Sequence, residues 1–349
     1  MQADKITLPL PDDWHLHLRD ETMLAAVLPA TARDFGRAIV MPNLKPPVTT
    51  AAAAAAYRDR IRALLPPGAS FEPLMTCYLT DNLDLGDLRA GARDGVFTAA
   101  KYYPAGATTN SDAGVTALAK LGRVLEAMQE IDLPLLVHGE VTDPEVDVFD
   151  REAVFVDRVL APLRRDFPAL RIVLEHVTTR EGVEFVLGAD GPTAATITPH
   201  HLLVNRNAMF ERGIRPHMYC LPVAKREAHR RALRAAAVSG DPRFFLGTDS
   251  APHLRSLKEH DCGCAGVFNA PTALGCYAQV FDEEGRLDRL EGFASRFGAA
   301  FYGMPVHARE ITLERLAVPS DATDWPTPLG PVRVFAPSQG VHWRRVPDA

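Results

Sequence analysis

Eight short β-type runs recur along the chain with helix-type segments between them, and that alternation leaves few folds open. The runs lie near 12–18, 37–42 (RAIVMP), 70–79 (SFEPLMTCYL), 96–103 (VFTAAKYY), 133–138, 171–176, 193–198 (TAATIT) and 243–248. Segments 21–34, the Ala-rich 49–65, 112–130, 150–166, 179–188 and 225–238 have helix-forming composition and apolar spacing. Continuous apolar strands alternating with helices predict a parallel sheet covered on both faces, and eight such units predict a closed (β/α)8 TIM barrel of the α/β class. A doubly wound open sheet would want a glycine-rich first turn for phosphate, and the sequence has none. After about residue 310 the pattern gives way to short strand-like and loop segments such as PVRVFAPSQGVHWRR. We read 1–349 as a single barrel domain, with 310–349 as an irregular, partly β C-terminal appendage.

Several classes of function are disfavoured by composition. A hydrophobic fraction of 47% and a charged fraction of 23% over 349 residues fit a soluble globular chain with a substantial core. The formal net charge of −6 argues against a nucleic-acid or anionic-membrane surface. It leaves an anionic small substrate open, because one arginine inside a pocket outweighs a weak overall field. The opening MQADKITLPLPDDW lacks a positive stretch followed by an apolar one, so no secretory signal is expected, and no apolar run is long enough to span a bilayer. Five cysteines, an odd number, suggest a reducing compartment rather than a disulfide framework, and hence the cytoplasm.

The ends of the β-type runs carry metal-type residues. His15 and His17 flank Leu16, and in an extended strand side chains at i and i+2 share a face, so both imidazoles can reach one ion. LPLLVHGE ends at His138, RIVLEHVT at His176 and RFFLGTDSAPH at Asp249. In a TIM barrel the active site lies at the C-terminal ends of the strands. One histidine at a strand end is unremarkable; five donors placed alike are not. Four imidazoles and a carboxylate exceed the usual three protein ligands of a single catalytic zinc, which suits two metals. Lys101, at the end of the fourth strand in TAAKYYPAG, lies in the same layer but as an ammonium has the wrong charge to bridge cations, and by itself reads as a snorkelling surface lysine.

The pattern of HxH on strand one, lysine on strand four, single histidines on strands five and six and aspartate on strand eight resembles the binuclear amidohydrolase superfamily. Finer matches resemble the dihydroorotase family of the short single-barrel type: DDWHLHLRD (12–20), MPNLKPP (41–47), KYYPAGATTNS (101–111), LVHGE (136–140), EHVTT (175–179), TPHHLL (198–203), LGTDSAPH (246–253) and CGCAGVFNAPTAL (262–274). The resemblance implies two Zn2+ per subunit, with His15, His17 and Asp249 on one and His138 and His176 on the other. N6-carboxylated Lys101 and a hydroxide would bridge them, with Asp249 as general acid and base. The implied reaction is the reversible cyclisation of N-carbamoyl-L-aspartate to L-dihydroorotate plus water, a step of pyrimidine (UMP) biosynthesis, and the implied assembly is a homodimer.

Arg19, two residues beyond His17 on the same face, offers a guanidinium fork that suits a carboxylate. The resemblance joins Asn43 and His253 to it as the substrate's carboxylate grip, adds backbone groups of Leu221 and Ala265 for the ring amides, and puts His17 and His138 within reach of the substrate. The small polar segment 104–111 reads as a lid whose Thr108 and Thr109 hydrogen-bond the substrate on closure. Cys262 and Cys264 have no partner pair at zinc-ribbon spacing and read as a loop, while His200 and His201 read as loop packing or as hydrogen-bonding support behind the metal ligands. No GxSxG elbow is present. Two rival functions stand beside this one. Hydantoinase- and allantoinase-like enzymes usually carry N-terminal β-structure before the HxH, completed by C-terminal strands, whereas only fourteen residues precede His15 here. A catalytically dead scaffold would have lost ligands, and all are in place.

Overall fold

The computed structural model describes residues 4–347. The eight expected strands form one sheet, β2 (Asp12–Leu16), β3 (Arg37–Val40), β4 (Glu72–Tyr78), β5 (Phe97–Tyr102), β6 (Leu135–Val137), β7 (Ile172–Leu174), β8 (Thr193–Ile197) and β9 (Phe244–Leu246), paired in sequence order and all parallel. Closure comes at the C-terminal mouth, where Leu16 bridges Ser250 in parallel, Asp249 N–H donates to His15 O (2.8 Å) and His17 N–H to Ser250 O (2.9 Å). The strands are short and apolar because both faces are covered: helices outside, and inside a plug of Ile39, Leu74, Leu136, Val173 and Phe245. Trp14 completes that plug, stacking on Tyr302 at 4.6 Å (11° between planes). A register shift in β2 between Asp13 and Leu16 lets Trp14 enter the interior just below His15, where strict alternation would turn one of them outward.

The tail is tied to the start of the chain. β1 (Lys5–Pro9), a strand not anticipated from sequence, pairs antiparallel with β10 (Glu310–Ser320), which in turn pairs with β13 (Val341–Arg345). A second pair, β11 (Asp324–Trp325) with β12 (Val332–Arg333), completes the β content of the appendage. The short stretch before His15 therefore does form β-structure completed by C-terminal strands, which removes the ground on which the hydantoinase-type rivals were set aside. Of the expected helix 112–130, only a 3-10 turn Leu118–Leu121 and the helix Gly122–Glu130 form. Residues 104–116 instead fold back as a compact loop, with Val115 bridging Pro104.

Candidate active site

All six candidate ligands lie at the C-terminal mouth. His15 and His17 stand at the end of β2, Lys101 near the end of β5, and His138, His176 and Asp249 just beyond β6, β7 and β9. Ring centroids of His15 and His17 are 5.4 Å apart, those of His15 and His176 and of His138 and His176 each 4.9 Å. Asp249 Oδ1 lies 3.4 Å from His15 Nε2 and 3.2 Å from His17 Nε2. Two overlapping sets, His15 with His17 and Asp249 and His15 with Glu175 and His176, each bring one donor atom per residue within 4.8 Å of one another.

Two of these residues hold backbone conformations that few side chains adopt. His176 has φ +42° and Asp249 φ +46°, both in the left-handed region, at a cost on the order of 1–3 kcal/mol each. Each is held by a buried carboxylate that the sequence reading did not single out. Behind His176, Glu152 accepts from Thr178 N–H (3.0 Å), Thr178 Oγ1 (2.6 Å), Thr179 N–H (2.8 Å) and Thr179 Oγ1 (2.5 Å). Ahead of Asp249, Asp13 accepts from Thr248 N–H (2.8 Å) and Thr248 Oγ1 (2.5 Å). Gly247 completes the approach, since a Cβ there would come within 2.7 Å of Thr196 and 3.2 Å of His15.

Burial governs the protonation of the site. It pulls the Lys101 amine down, against the opposing charge of Glu175, with which Lys101 forms a fully buried ion pair. It pulls His17 down to about 4 and His176 well below the ordinary imidazole range. Burial would raise Asp249, but contact with His15 and His17 holds it well below the usual carboxylate range. His15 is the exception: burial opposes its charge, yet Glu175 lifts it to about 9.

The donor set fits metal ions. Both ring nitrogens of His15 sit near carboxylates, Nδ1 at 2.9 Å from Glu175 Oε1, but neither makes an aligned hydrogen bond, and His176 Nδ1 is buried with no hydrogen-bond partner. Buried polar atoms left unsatisfied cost about 1–3 kcal/mol each, and a cation would satisfy the neutral His176 ring. His138 Nε2 is paired with Glu140 Oε2 at 2.8 Å, the carboxylate–histidine arrangement that orients metal ligands and leaves Nδ1 free for the ion. Glu175, Glu140 and Tyr103, whose hydroxyl is buried without a partner and whose ring faces Lys101 Nζ at 4.9 Å, touch the candidate ligands and were also missed by sequence reasoning.

Above the donors lies a narrow cleft, with only ≈ 20 Å³ of free space, lined by Arg19, Asn43, Thr108, Thr109, Leu221 and Ala265 as well as by the histidines and Asp249. Arg19, at φ +58°, donates through Nε to Pro252 O (3.0 Å), and its Nη2 lies 2.9 Å from His253 Nε2. The same His253 nitrogen lies 2.9 Å from Ala265 O. One ring nitrogen cannot accept from arginine and donate to a carbonyl at once. Burial and then Arg19 drive His253 down to about 2, so the ring is neutral and one of these contacts is free to re-pair with an incoming anion. The 104–111 loop is closed: Asn43 Nδ2 donates to Thr109 O (2.9 Å), Asn110 Nδ2 to Asn43 O (2.9 Å) and Thr109 Oγ1 to Ala265 O (3.3 Å).

His200, His201 and Cys220 form a third buried donor set, in which His201 and Cys220 are tied up by hydrogen bonds while His200 Nδ1 meets Asn269 Nδ2 at 3.1 Å and its Nε2 is buried without a partner. His201 engages Thr198 Oγ1 (2.8 Å) and Pro222 O (3.0 Å), and Cys220 Sγ donates to Pro222 O (3.2 Å). Cys262 is exposed and Cys264 half-buried, both as free thiols.

A barrel mouth with clustered histidines, an aspartate and a buried lysine, with donor groups that could hold metal, is the arrangement of a hydrolase of the amidohydrolase type. The model of the amidohydrolase family matches residues 12–312. The dihydroorotase of Cupriavidus necator is 62% identical over 333 residues, covering 95% of this chain and 97% of its own. Among solved structures, the dihydroorotase of Campylobacter jejuni has a TM-score of 0.87 at 33% identity, over 99% of this chain and 98% of that one. The dihydroorotase of Saccharomyces cerevisiae, in complex with 5-fluoroorotic acid, has a TM-score of 0.87 at 32% identity, over 99% and 100%. The chain belongs to the amidohydrolase family and, within it, to the dihydroorotases.

Proposed function

We propose that this protein catalyses the reversible cyclisation of N-carbamoyl-L-aspartate to L-dihydroorotate and water, in pyrimidine biosynthesis. The observation that supports the reading is the convergence of His15, His17, His138, His176, Asp249, Arg19 and Asn43 at one barrel mouth, in a chain 62% identical to a dihydroorotase over 95% of its length. Two Zn2+ would be held by His15, His17 and Asp249 and by His138 and His176, with N6-carboxylated Lys101 between them. Bound there, the metals supply Lewis acidity toward the ring carbonyl and water activated at neutral pH.

The chain's own residues do the rest. Arg19, Asn43 and His253 take the substrate carboxylate, the guanidinium as a two-pronged donor. Backbone groups of Leu221 and Ala265 meet the ring amides and fix which carbonyl faces the metals. Asp249 accepts the proton from the attacking water and returns it to the leaving ring nitrogen; in the biosynthetic direction the transfers reverse. The closed loop excludes water, and Thr108 and Thr109 add hydrogen bonds once substrate replaces their present partners. Replacing both threonines by valine is expected to lower kcat by ~5- to 150-fold with metal content unchanged, each lost hydrogen bond being worth about 0.5–1.5 kcal/mol. Steady-state kinetics alongside metal analysis checks this, and unchanged kinetics removes the loop from catalysis.

The decisive assay compares turnover of dihydroorotate, hydantoin and allantoin by metal-loaded protein. Preference for dihydroorotate supports the proposal. Preference for either other ring assigns the site to a different cyclic amide, and no turnover with metals bound supports a scaffold role. A cytoplasmic homodimer is the setting that goes with this function. All five cysteines are free thiols, and among the described residues no helix is long and apolar enough to cross a membrane.

A further inference from the structure

Lys258 closes the short helix Arg255–Lys258 in a segment, RSLKEHD, whose composition is that of solvated surface, yet it is only 3% exposed. An ammonium has three N–H donors and no acceptor. In Lys258 the three go to three backbone carbonyls: Tyr219 O at 2.8 Å, Cys264 O at 2.7 Å and Gly266 O at 2.8 Å. Two of these carbonyls flank Ala265, and the third lies two residues before Leu221. Gly266 N–H also donates to Tyr219 O at 3.1 Å, so the two segments are stitched to each other as well as to the lysine.

The geometry on the far side of the segment is equally tight. Ala265 O faces His253 Nε2 at 2.9 Å and Thr109 Oγ1 at 3.3 Å. A Cβ on Gly266 would meet the His253 ring at 2.8 Å. Residues 264–266 are therefore wedged between the anion-binding His253 and the Lys258 ammonium. The run carries no helix or strand of its own, so these contacts, with the Lys258 ammonium on two of its three carbonyls, set the carbonyl directions. Burial lowers this ammonium to about 8, a cost that a lysine serving only solubility would avoid by reaching water.

We propose that Lys258 is a positioning residue for substrate recognition: its three-way clamp sets the backbone of Leu221 and Ala265 against the ring amides, and it acts through those loops without touching substrate or metal. The inference rests on the dihydroorotase reading above.

The test is Lys258→Met, which keeps length and apolar stem but has no donor, beside Lys258→Arg, which keeps charge and several donors. Lys258→Met is expected to raise KM for dihydroorotate by at least ~10-fold with kcat within about threefold, the pattern of lost uniform binding. Metal content should match the unmodified protein, and Lys258→Arg should recover most of the affinity. Amide hydrogen exchange at Gly266, whose N–H closes the stitch, should speed up in Lys258→Met. A folded Lys258→Met protein with unchanged KM and exchange overturns the clamp, as does a loss confined to kcat or metal content. If Lys258→Met fails to fold, Lys258→Gln, with two donors, should show a smaller KM rise, and an unchanged KM there overturns the proposal equally. Failure of the dihydroorotase reading is separately visible, because the unmodified protein would then not turn over dihydroorotate while the exchange experiment still reports on the clamp.

Discussion

Lys101→Ala is expected to bind fewer than two metal ions per chain and to lose at least ~10³-fold in turnover, more than the ~10–100-fold loss of metal affinity or activity that follows removal of a mere outer-shell partner. Lys101 is fully buried, with Nζ paired to Glu175 and set over the Tyr103 ring at 4.9 Å. Carboxylation requires the neutral amine, and burial already shifts Lys101 in that direction. In the metal-free protein, where Lys101 is an ammonium, the substitution also takes one of the two buried partners of Glu175, His15 Nδ1 at 2.9 Å being the other, and breaking a buried pair from one side costs up to about 3–5 kcal/mol. Folding and metal binding must therefore be separated. The double variant Lys101→Ala with Glu175→Gln removes the half-paired charge, so it should recover most of the lost thermal stability while remaining poor in metal. Metal analysis by plasma mass spectrometry and thermal unfolding read the two effects apart. Two ions per chain and full turnover in Lys101→Ala would overturn the bridging role.

What was legible in the sequence follows from what is local. β2 through β9 are short apolar runs because both faces of the sheet are covered, so each strand announces itself without its neighbours. β1 does not, because KITLP is a half-exposed edge whose partner β10 lies some three hundred residues away. The helix Leu85–Arg93 escaped notice for a related reason: LGDLRAGAR is short, with two glycines and only one apolar stripe. In the site, residues at strand ends were legible because the barrel places strand ends together. The residues that hold them were not. Asp13, Glu152 and Glu175 are single acids inside segments read only as strand or helix, and their role depends on partners such as Thr248 and Thr178 brought near only by the fold. The left-handed backbone at Arg19, His176 and Asp249 carries no sequence mark either, since none of the three is glycine.

Asp249→Asn should cut turnover by at least ~10²–10⁴-fold, the contribution of a general acid–base group, while the fold persists. Asparagine is the fitting substitution at this position for a backbone reason. Asp and Asn tolerate the left-handed region better than alanine, so φ +46° and the closing bond from Asp249 N–H to His15 O at 2.8 Å should both survive. The amide keeps an oxygen toward His15 and His17, now 3.4 and 3.2 Å from the carboxylate, but it has neither the charge nor the basicity to take a proton. Asp249→Ala removes the ligand atom as well and adds strain. The two variants thus separate roles that a single substitution confounds. If Asp249→Asn retains both ions and loses turnover, proton transfer is the function lost; if it sheds an ion as readily as Asp249→Ala, ligation is the larger part. Metal content and dihydroorotate hydrolysis measured on the same preparations decide, and near-normal turnover in Asp249→Asn would take Asp249 out of the chemistry altogether.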